Sequence, residues 1–284
     1  MAIEIHSRAF EAPMIRGWRS RRARTAGQRL IAIGDVHGRW DLLDALLKAI
    51  EQHIATTPEV PSRLIILGDF IDRGPDSARV LRFLRSVTRQ SERATVLLGN
   101  HEQALLHTIE GDTAAQRLWL AHGAAATLAS FDTPPPQQHE FGPAFAVRAA
   151  QAIGPETIDW LRDLPLSLRI GDYFFCHAGV RPGRKLDRQS GEDLLWIREA
   201  FLADQRSYGA IVVHGHSIVG EAEIRHNRIA VDTGAYRTGL LSAVILDEPR
   251  NWVVSVRQTG NPGQSSGVNT NALATATQSW LSDT

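Results

Sequence analysis

The chain has 284 residues, 43% of them hydrophobic, enough for the core of one large domain. Its 31 basic residues balance 31 acidic ones, so nothing in the overall charge points to a partner held by bulk charge, such as nucleic acid or an anionic membrane. No apolar run approaches the ~20 residues that cross a bilayer, and the single cysteine rules out an intrachain disulfide; a reducing, cytoplasmic setting fits both.

Residues 1–28 carry clustered arginines (Arg16, Arg19, Arg21, Arg22, Arg24), with no acidic residue between Glu11 and Asp35. No apolar segment follows them, as a secretory signal would require. The stretch reads as a flexible, solvated basic arm; anchoring to nucleic acid or an anionic surface is the lesser alternative. Leu30–Ile33 is a short apolar run with glycine just beyond it, a buried strand. Trp40–Ile54 follows with Leu42, Leu43, Leu46, Leu47 and Ile50 at helical spacing. The pattern repeats as strand Leu64–Leu67 and helix Asp76–Val87, then strand Thr95–Leu98 and helix Glu102–Ile109. Such alternation implies parallel βαβ units, whose ligands gather beyond the carboxyl ends of the strands.

Residues 104–165 differ. They read as a helical insertion beside that edge, with Trp119, Leu120, Leu128 and Trp160, broken by a loop at Asp132–Pro143. Strands then return at Ser167–Ile170, Tyr173–His177, Ile211–His214, Arg228–Asp232, Leu240–Leu246 and Trp252–Val256. The last three have short connections, so antiparallel pairing is expected among them. Cys176, inside an apolar run, reads as a small buried hydrophobe. Residues 258–284 are rich in Ser, Thr, Asn, Gln and Gly and read as a disordered tail with a weak helical turn near Trp280. The folded unit is therefore expected over residues 29–257.

Five phrases end these strands: Gly34-Asp35-Val36-His37-Gly38, Gly68-Asp69-Phe70-Ile71-Asp72-Arg73-Gly74, Gly99-Asn100-His101-Glu102, Cys176-His177-Ala178-Gly179 and His214-Gly215-His216-Ser217. A single Gly-Asp is a common turn; five such phrases, each with its own strand, form a ligand set for two divalent metals. Asp69 is the natural bridging carboxylate, Asp35 and His37 can face one ion, and Asn100, His177 and His216 the other. Mixed nitrogen and oxygen donors suit Mn first, with Fe or Zn as alternatives, over Ca or Mg. A two-metal site activates water and clamps a phosphoryl group. His101 is then the candidate acid for the leaving oxygen, Asp72 the carboxylate that fixes its ring, and Arg73 and Arg198 guanidinium forks for phosphate, with Asn100 also at the substrate. His214 reads as a core histidine; His53, His107 and His139 read as solvated. His122, in the insertion, is a lesser candidate for substrate contact, and Asp232 a candidate to orient a ligand histidine.

In these phrases the chain resembles the calcineurin-like metallophosphoesterases. More narrowly, it is similar to the bacterial phosphoprotein phosphatases of the serine/threonine type, whose GDxHG, GDxxDRG, GNHE and late GHS patterns appear in order. The resemblance implies a four-layer α/β/β/α sandwich and a binuclear centre. It implies direct attack by a metal-bridging hydroxide on a phosphomonoester, with Asp35, His37 and Asp69 on the first metal and Asp69, Asn100, His177 and His216 on the second. It also implies a His101–Asp72 acid pair and Arg73 on the phosphate. Two departures stand out. Leu98 replaces the arginine that usually precedes GNHE in the protein phosphatases, and Ile218 stands where the wider superfamily often has another histidine. Symmetrical diadenosine tetraphosphatases share the apolar residue before GNH, yet Glu102 and Asp72 match the protein phosphatases. The expected substrate is therefore a phosphorylated protein (Ser/Thr, or Tyr) or a small phosphoester. A dinucleoside polyphosphate is the alternative, and a non-catalytic binding module the least favoured reading. The sequence carries no signal for oligomeric state.

Overall fold

Alternation along each strand sorts its side chains between two environments, and that sorting builds the architecture. The computed structural model describes residues 2–15, 20–137 and 140–259. The amino-terminal part holds β1 (Ala2–Phe10), β2 (Met14–Ile15), β3 (Arg21–Arg22), β4 (Arg29–Ile33), α1 (Trp40–Ile54), β5 (Ser62–Ile66), α2 (Ser77–Gln90), β6 (Ala94–Val96) and α3 (Asn100–Ile109). A helical stretch follows with α4 (Thr113–Ala121), α5 (Ala124–Ser130), α6 (Pro143–Ile153) and α7 (Pro155–Arg162). The remainder holds β7 (Ser167–Ile170), β8 (Tyr173–Cys176), α8 (Gly191–Trp196), α9 (Glu199–Leu202), β9 (Ile211–His214), β10 (Glu223–Ile224), β11 (Arg228–Ala230), α10 (Ala235–Thr238), β12 (Leu240–Leu246) and β13 (Asn251–Thr259).

Two sheets form, in the orders β1-β13-β12-β4-β5-β6 and β10-β11-β9-β8-β7, beside a small β2-β3 ribbon. Strands β4, β5 and β6 are parallel, as are β8, β9 and β11. On β4, Ile31 and Ile33 join the cluster that holds α1 and α2, while Leu30 and Ala32 join a second cluster with Tyr173, Phe175, Ile211 and Val213 of the other sheet. On β8, Phe174 and Cys176 turn the opposite way and pack with Leu194 and Phe201 of α8 and α9. Apolar clusters thus lie on both faces of each sheet, in a mixed α/β fold.

Three expectations are corrected. The basic stretch is not a free arm among its described residues. β1 pairs antiparallel with β13 over Ala2–Phe10, and Arg21 and Arg22 form ion pairs with Asp172 and Glu11. Its strand partner and the Asp172 partner of Arg21 lie far along the chain, which is why local composition misread it. β11 does not join β12 and β13; it pairs parallel with β9 and antiparallel with β10, so the chain changes sheets between β11 and β12. His53 is half-buried, its ring 4.9 Å from that of Trp252. The tail expected over 258–284 lies outside the described residues from 260 onward, whereas Gln258 and Thr259 belong to β13. His139 also lies outside them.

At the start of β4, Arg29 is fully buried and donates from Nε to Asp247 at 2.7 Å and from Nη2 to the Pro58 carbonyl at 2.8 Å. Asp247→Ala leaves that guanidinium buried without its counter-ion. The expected loss of stability is ~3 kcal/mol, near the value for breaking a buried pair. It is measured by denaturant unfolding at unchanged m-value.

Candidate metal centre

The five phrases follow the carboxyl ends of β4, β5, β6, β8 and β9, and the two sheets bring them to one place. The loops are bent sharply there. His37 (φ 44°), Asp69 (47°), Asp72 (72°), Arg73 (68°) and His216 (61°) all hold left-handed backbone conformations. Each costs a non-glycine residue ~1–3 kcal/mol unless its surroundings impose it. They are imposed by tight backbone approach. A Cβ on Gly99 would lie 2.2 Å from the Asp69 nitrogen, and one on Gly215 would lie 2.0 Å from Asp35 Oδ1.

Glu102 is the fastener. Fully buried in the first turn of α3, its carboxylate accepts the backbone N–H groups of Gly99, Asp69 and Phe70 at 3.0 Å and of Ile71 at 3.1 Å. The loops after β5 and β6 are thereby tied to one side chain.

Around Asp69 the donors converge. His177 donates from Nδ1 to the Leu67 carbonyl at 2.8 Å, so in the neutral ring Nε2 carries a lone pair. That lone pair faces Asn100 Oδ1 at 2.9 Å, His216 Nδ1 at 3.2 Å and Asp69 Oδ1 at 3.3 Å. His37 is fixed in the same manner, donating from Nδ1 to the Ile71 carbonyl at 2.8 Å, and its Nε2 lies 3.7 Å from Asp69 Oδ2. His101 Nε2 lies 3.8 Å from the same oxygen. Two compact groups result, His37–Asp69–His101 and Asp69–His177–His216, with ligand atoms within 4.8 Å of one another in each.

The electrostatics fit cations. Burial lowers the pKa of His37 to about 3 and that of His216 in the same direction, leaving neutral imidazoles, the form that ligates. Asp35 is pushed well above the carboxylate range by burial and by the charges of Asp232 and Asp69. Asp232 itself is raised to about 6, chiefly by burial. Buried carboxylates that repel one another beside the unprotonated imidazoles of His37 and His216 form a donor set that a divalent ion satisfies, while Asp69 raises the pKa of His177 against its burial.

Beside this cluster, His101 donates from Nδ1 to Asp72 Oδ2 at 2.6 Å. Asp72 is fully buried and also accepts from Trp119 Nε1 at 2.9 Å and from the Thr127 hydroxyl at 2.6 Å. Burial works to lower the pKa of His101, but Asp69 and Asp72 outweigh it and hold it above the ordinary histidine range. Arg73 places Nη2 3.1 Å from His101 Nε2 and lays its guanidinium 4.4 Å over the Tyr236 ring. Arg198 is exposed and near enough to His216 for its charge to help lower that ring's pKa. A shallow open pocket adjoins His101 and Asn100, walled by Ala104, Leu118, Trp119, His122 and Trp196.

All the sequence candidates therefore lie in one neighbourhood, with differences. Asp35 is outside both compact groups; its carboxylate accepts the His216 backbone N–H at 3.1 and 3.2 Å. Asp232 accepts from the Gly234 N–H at 2.8 Å instead of orienting a histidine. His214 is a core residue, its ring 5.0 Å from Phe201. Sequence reasoning gave no structural role to Glu102, Trp119, Thr127 or Tyr236. Only Glu102 carried a signal, as a capping-box acid three residues past Gly99.

A mixed α/β fold that gathers carboxylates and imidazoles at its strand ends presents a donor set for divalent metal ions. Residues 28–244 match the family model described as calcineurin-like phosphoesterase, and the chain belongs to that family. Curated relatives named symmetrical bis(5'-nucleosyl)-tetraphosphatase include one from Janthinobacterium sp. (strain Marseille), 34% identical over 151 residues, covering 53% of this chain and 43% of the relative. Another, from Neisseria meningitidis serogroup A / serotype 4A (strain DSM 15465 / Z2491), is 31% identical over 175 residues, covering 62% and 51%. The matched region spans about half the length of such relatives. Among solved structures, one provisionally described as a diadenosine tetraphosphatase superposes with a TM-score of 0.57 at 23% identity, covering 84% of this chain and 97% of that one. A cold-active protein tyrosine phosphatase gives 0.51 at 18%, covering 78% and 77%. At these identities the likeness is one of fold.

Glu102→Gln is the test of the fastener. The amide cannot accept all four N–H groups and presents donors of its own, so stability is expected to fall by at least ~2 kcal/mol in denaturant unfolding.

Proposed function

We propose that the chain hydrolyses a dinucleoside polyphosphate at a centre of two divalent ions, manganese before iron or zinc. Asp69 would be shared, with Asp35 and His37 on one ion and Asn100, His177 and His216 on the other. When bound, such ions supply Lewis acidity and an activated water. His101 would protonate the departing phosphate oxygen from Nε2, with Asp72 holding the ring through Nδ1 and Trp119 and Thr127 holding Asp72. Arg73 would turn from His101 Nε2 to the phosphate oxygens, since a nitrogen that accepts from a guanidinium has no proton to give.

The observation that carries the substrate is the placing of the cations. Leu98, the position of an extra arginine in protein phosphatases, is 8% exposed and packs in the core, so no guanidinium can reach the centre from there. Arg73 and Arg198 remain, one beside each histidine group, an arrangement suited to an anionic chain longer than one phosphoryl group. The curated relatives' names support the same reading. The second reading, a phosphorylated Ser, Thr or Tyr side chain, is favoured by the 2.6 Å His101–Asp72 pair, which matches the protein phosphatase pattern.

Turnover of Mn²⁺-loaded protein on diadenosine tetraphosphate is compared with phosphoserine/phosphothreonine and phosphotyrosine peptides, each with a chelated control. Chelator-sensitive release of ADP is expected to dominate; faster phosphopeptide turnover would replace this reading with the second. Chelation abolishes turnover in either case. His101→Asn is expected to lower kcat ~10²–10⁴-fold with little change in KM, the usual contribution of a general acid; an unchanged kcat would remove His101 from the chemistry.

A further inference from the structure

Strand β1 is the outer strand of the six-stranded sheet, and among the described residues no strand pairs with its other side. Open edges are usually blunted by proline, lysine, a bulge or brevity. β1 runs for 9 residues without Pro or Lys, in unbroken register with β13. Its Ile5, 54% exposed, is among the few large apolar side chains left in solvent. Glu4, His6 and Arg8 share one face; Ile3, Ile5, Ser7 and Ala9 share the other. Arg8 reaches the Ala222 carbonyl at 3.2 Å on the first face, and Ile3 packs against the helix-side core on the second.

We propose that this edge pairs antiparallel with the same edge of a second copy of the chain, about a two-fold axis through His6, so that two six-stranded sheets become one continuous sheet. An axis normal to the sheet keeps each face on its own side, so paired residue numbers must sum to an even value. Centring on Ile5 opposes Ala2 to Arg8 and Glu4 to His6. Centring on Ser7 opposes Glu4 to Phe10 and His6 to Arg8. Centring on His6 sets Glu4 against Arg8 twice, Ile3 against Ala9 and Ile5 against Ser7, and it uses every residue from Ala2 to Phe10. The longest register is also the charge-matched one. Glu4 lies 3.6 Å from His6 Nε2, a contact open to solvent with side chains 58% and 59% exposed that Glu4 would exchange for Arg8 of the second copy, and Arg8 has committed only Nη2.

The test is sedimentation velocity on the full-length protein over a dilution series, for wild type, Glu4→Arg, Arg8→Glu and an equimolar mixture of the two variants. Glu4→Arg faces the partner's Arg8, and Arg8→Glu faces the partner's Glu4, so each variant repels itself; in the mixture every facing pair is again opposite in sign. The expected result is a wild-type dimer, self-association weakened about tenfold or more in each variant, and dimer recovered on mixing. A wild type that stays monomeric overturns the proposal, as does a dimer indifferent to both reversals, which would place the interface elsewhere. Weakening that mixing does not reverse also overturns it, because recovery requires Glu4 to face Arg8.

Discussion

One buried carboxylate holds the centre together. Glu102 gathers four backbone N–H groups from the loops that end two neighbouring strands, and those loops carry Asp69, Asp72, Arg73, Asn100 and His101. Burial and the nearby Asp69 charge raise its pKa to about 7. The four amides work in the other direction by favouring the ionised form. Charge near this spot is unfavourable to begin with, and the fold accepts that in exchange for fixed loop geometry. Of the residues that crowd round Asp69, His177 and His37 are each ordered by a hydrogen bond to main chain. Leu67 and Ile71 carbonyls set the two imidazoles before any ion arrives.

The left-handed residues belong to the same account. A loop that turned gently would point alternate side chains apart. A sharp turn at His37, Asp69 and His216 lets residues from separate strands aim at a common point. Glycines at the crossings leave room for main chain to touch side chain, as Gly215 does with Asp35. Local strain, close approach and mutually repelling carboxylates are three views of one design, in which the folded chain is less comfortable at the centre than elsewhere and the core of each layer holds it in place.

Much of this was legible in the sequence, for a physical reason. Strands that are buried on both faces read as short apolar runs, and the residue after each run must lie at the sheet's edge, so Asp35, Asp69, Asn100, His177 and His216 could be placed without knowing how the sheets meet. What escaped was whatever depended on that meeting. Trp119 and Thr127 reach Asp72 from helices whose packing has no short-range signature. Tyr236 stands under Arg73 because the chain has just left one sheet for the other, and a short connection does not announce such a change. β1 was misread because its alternation is mostly polar and its partner strand lies at the other end of the domain.

That pairing sets an order in time. Phe10 lies opposite Asn251, so nearly the whole domain must leave the ribosome before the first strand can find its place. At ~5–20 residues per second the wait is roughly 10–50 s. During it the segment must stay dissolved and uncommitted, and the polar residues Glu4, His6, Ser7 and Arg8 suit it to that. β13, the last of the described strands, must be in place before β1 can complete the outer margin of a sheet whose inner strands are already laid down. Closure of that margin therefore waits on the far end of the described fold.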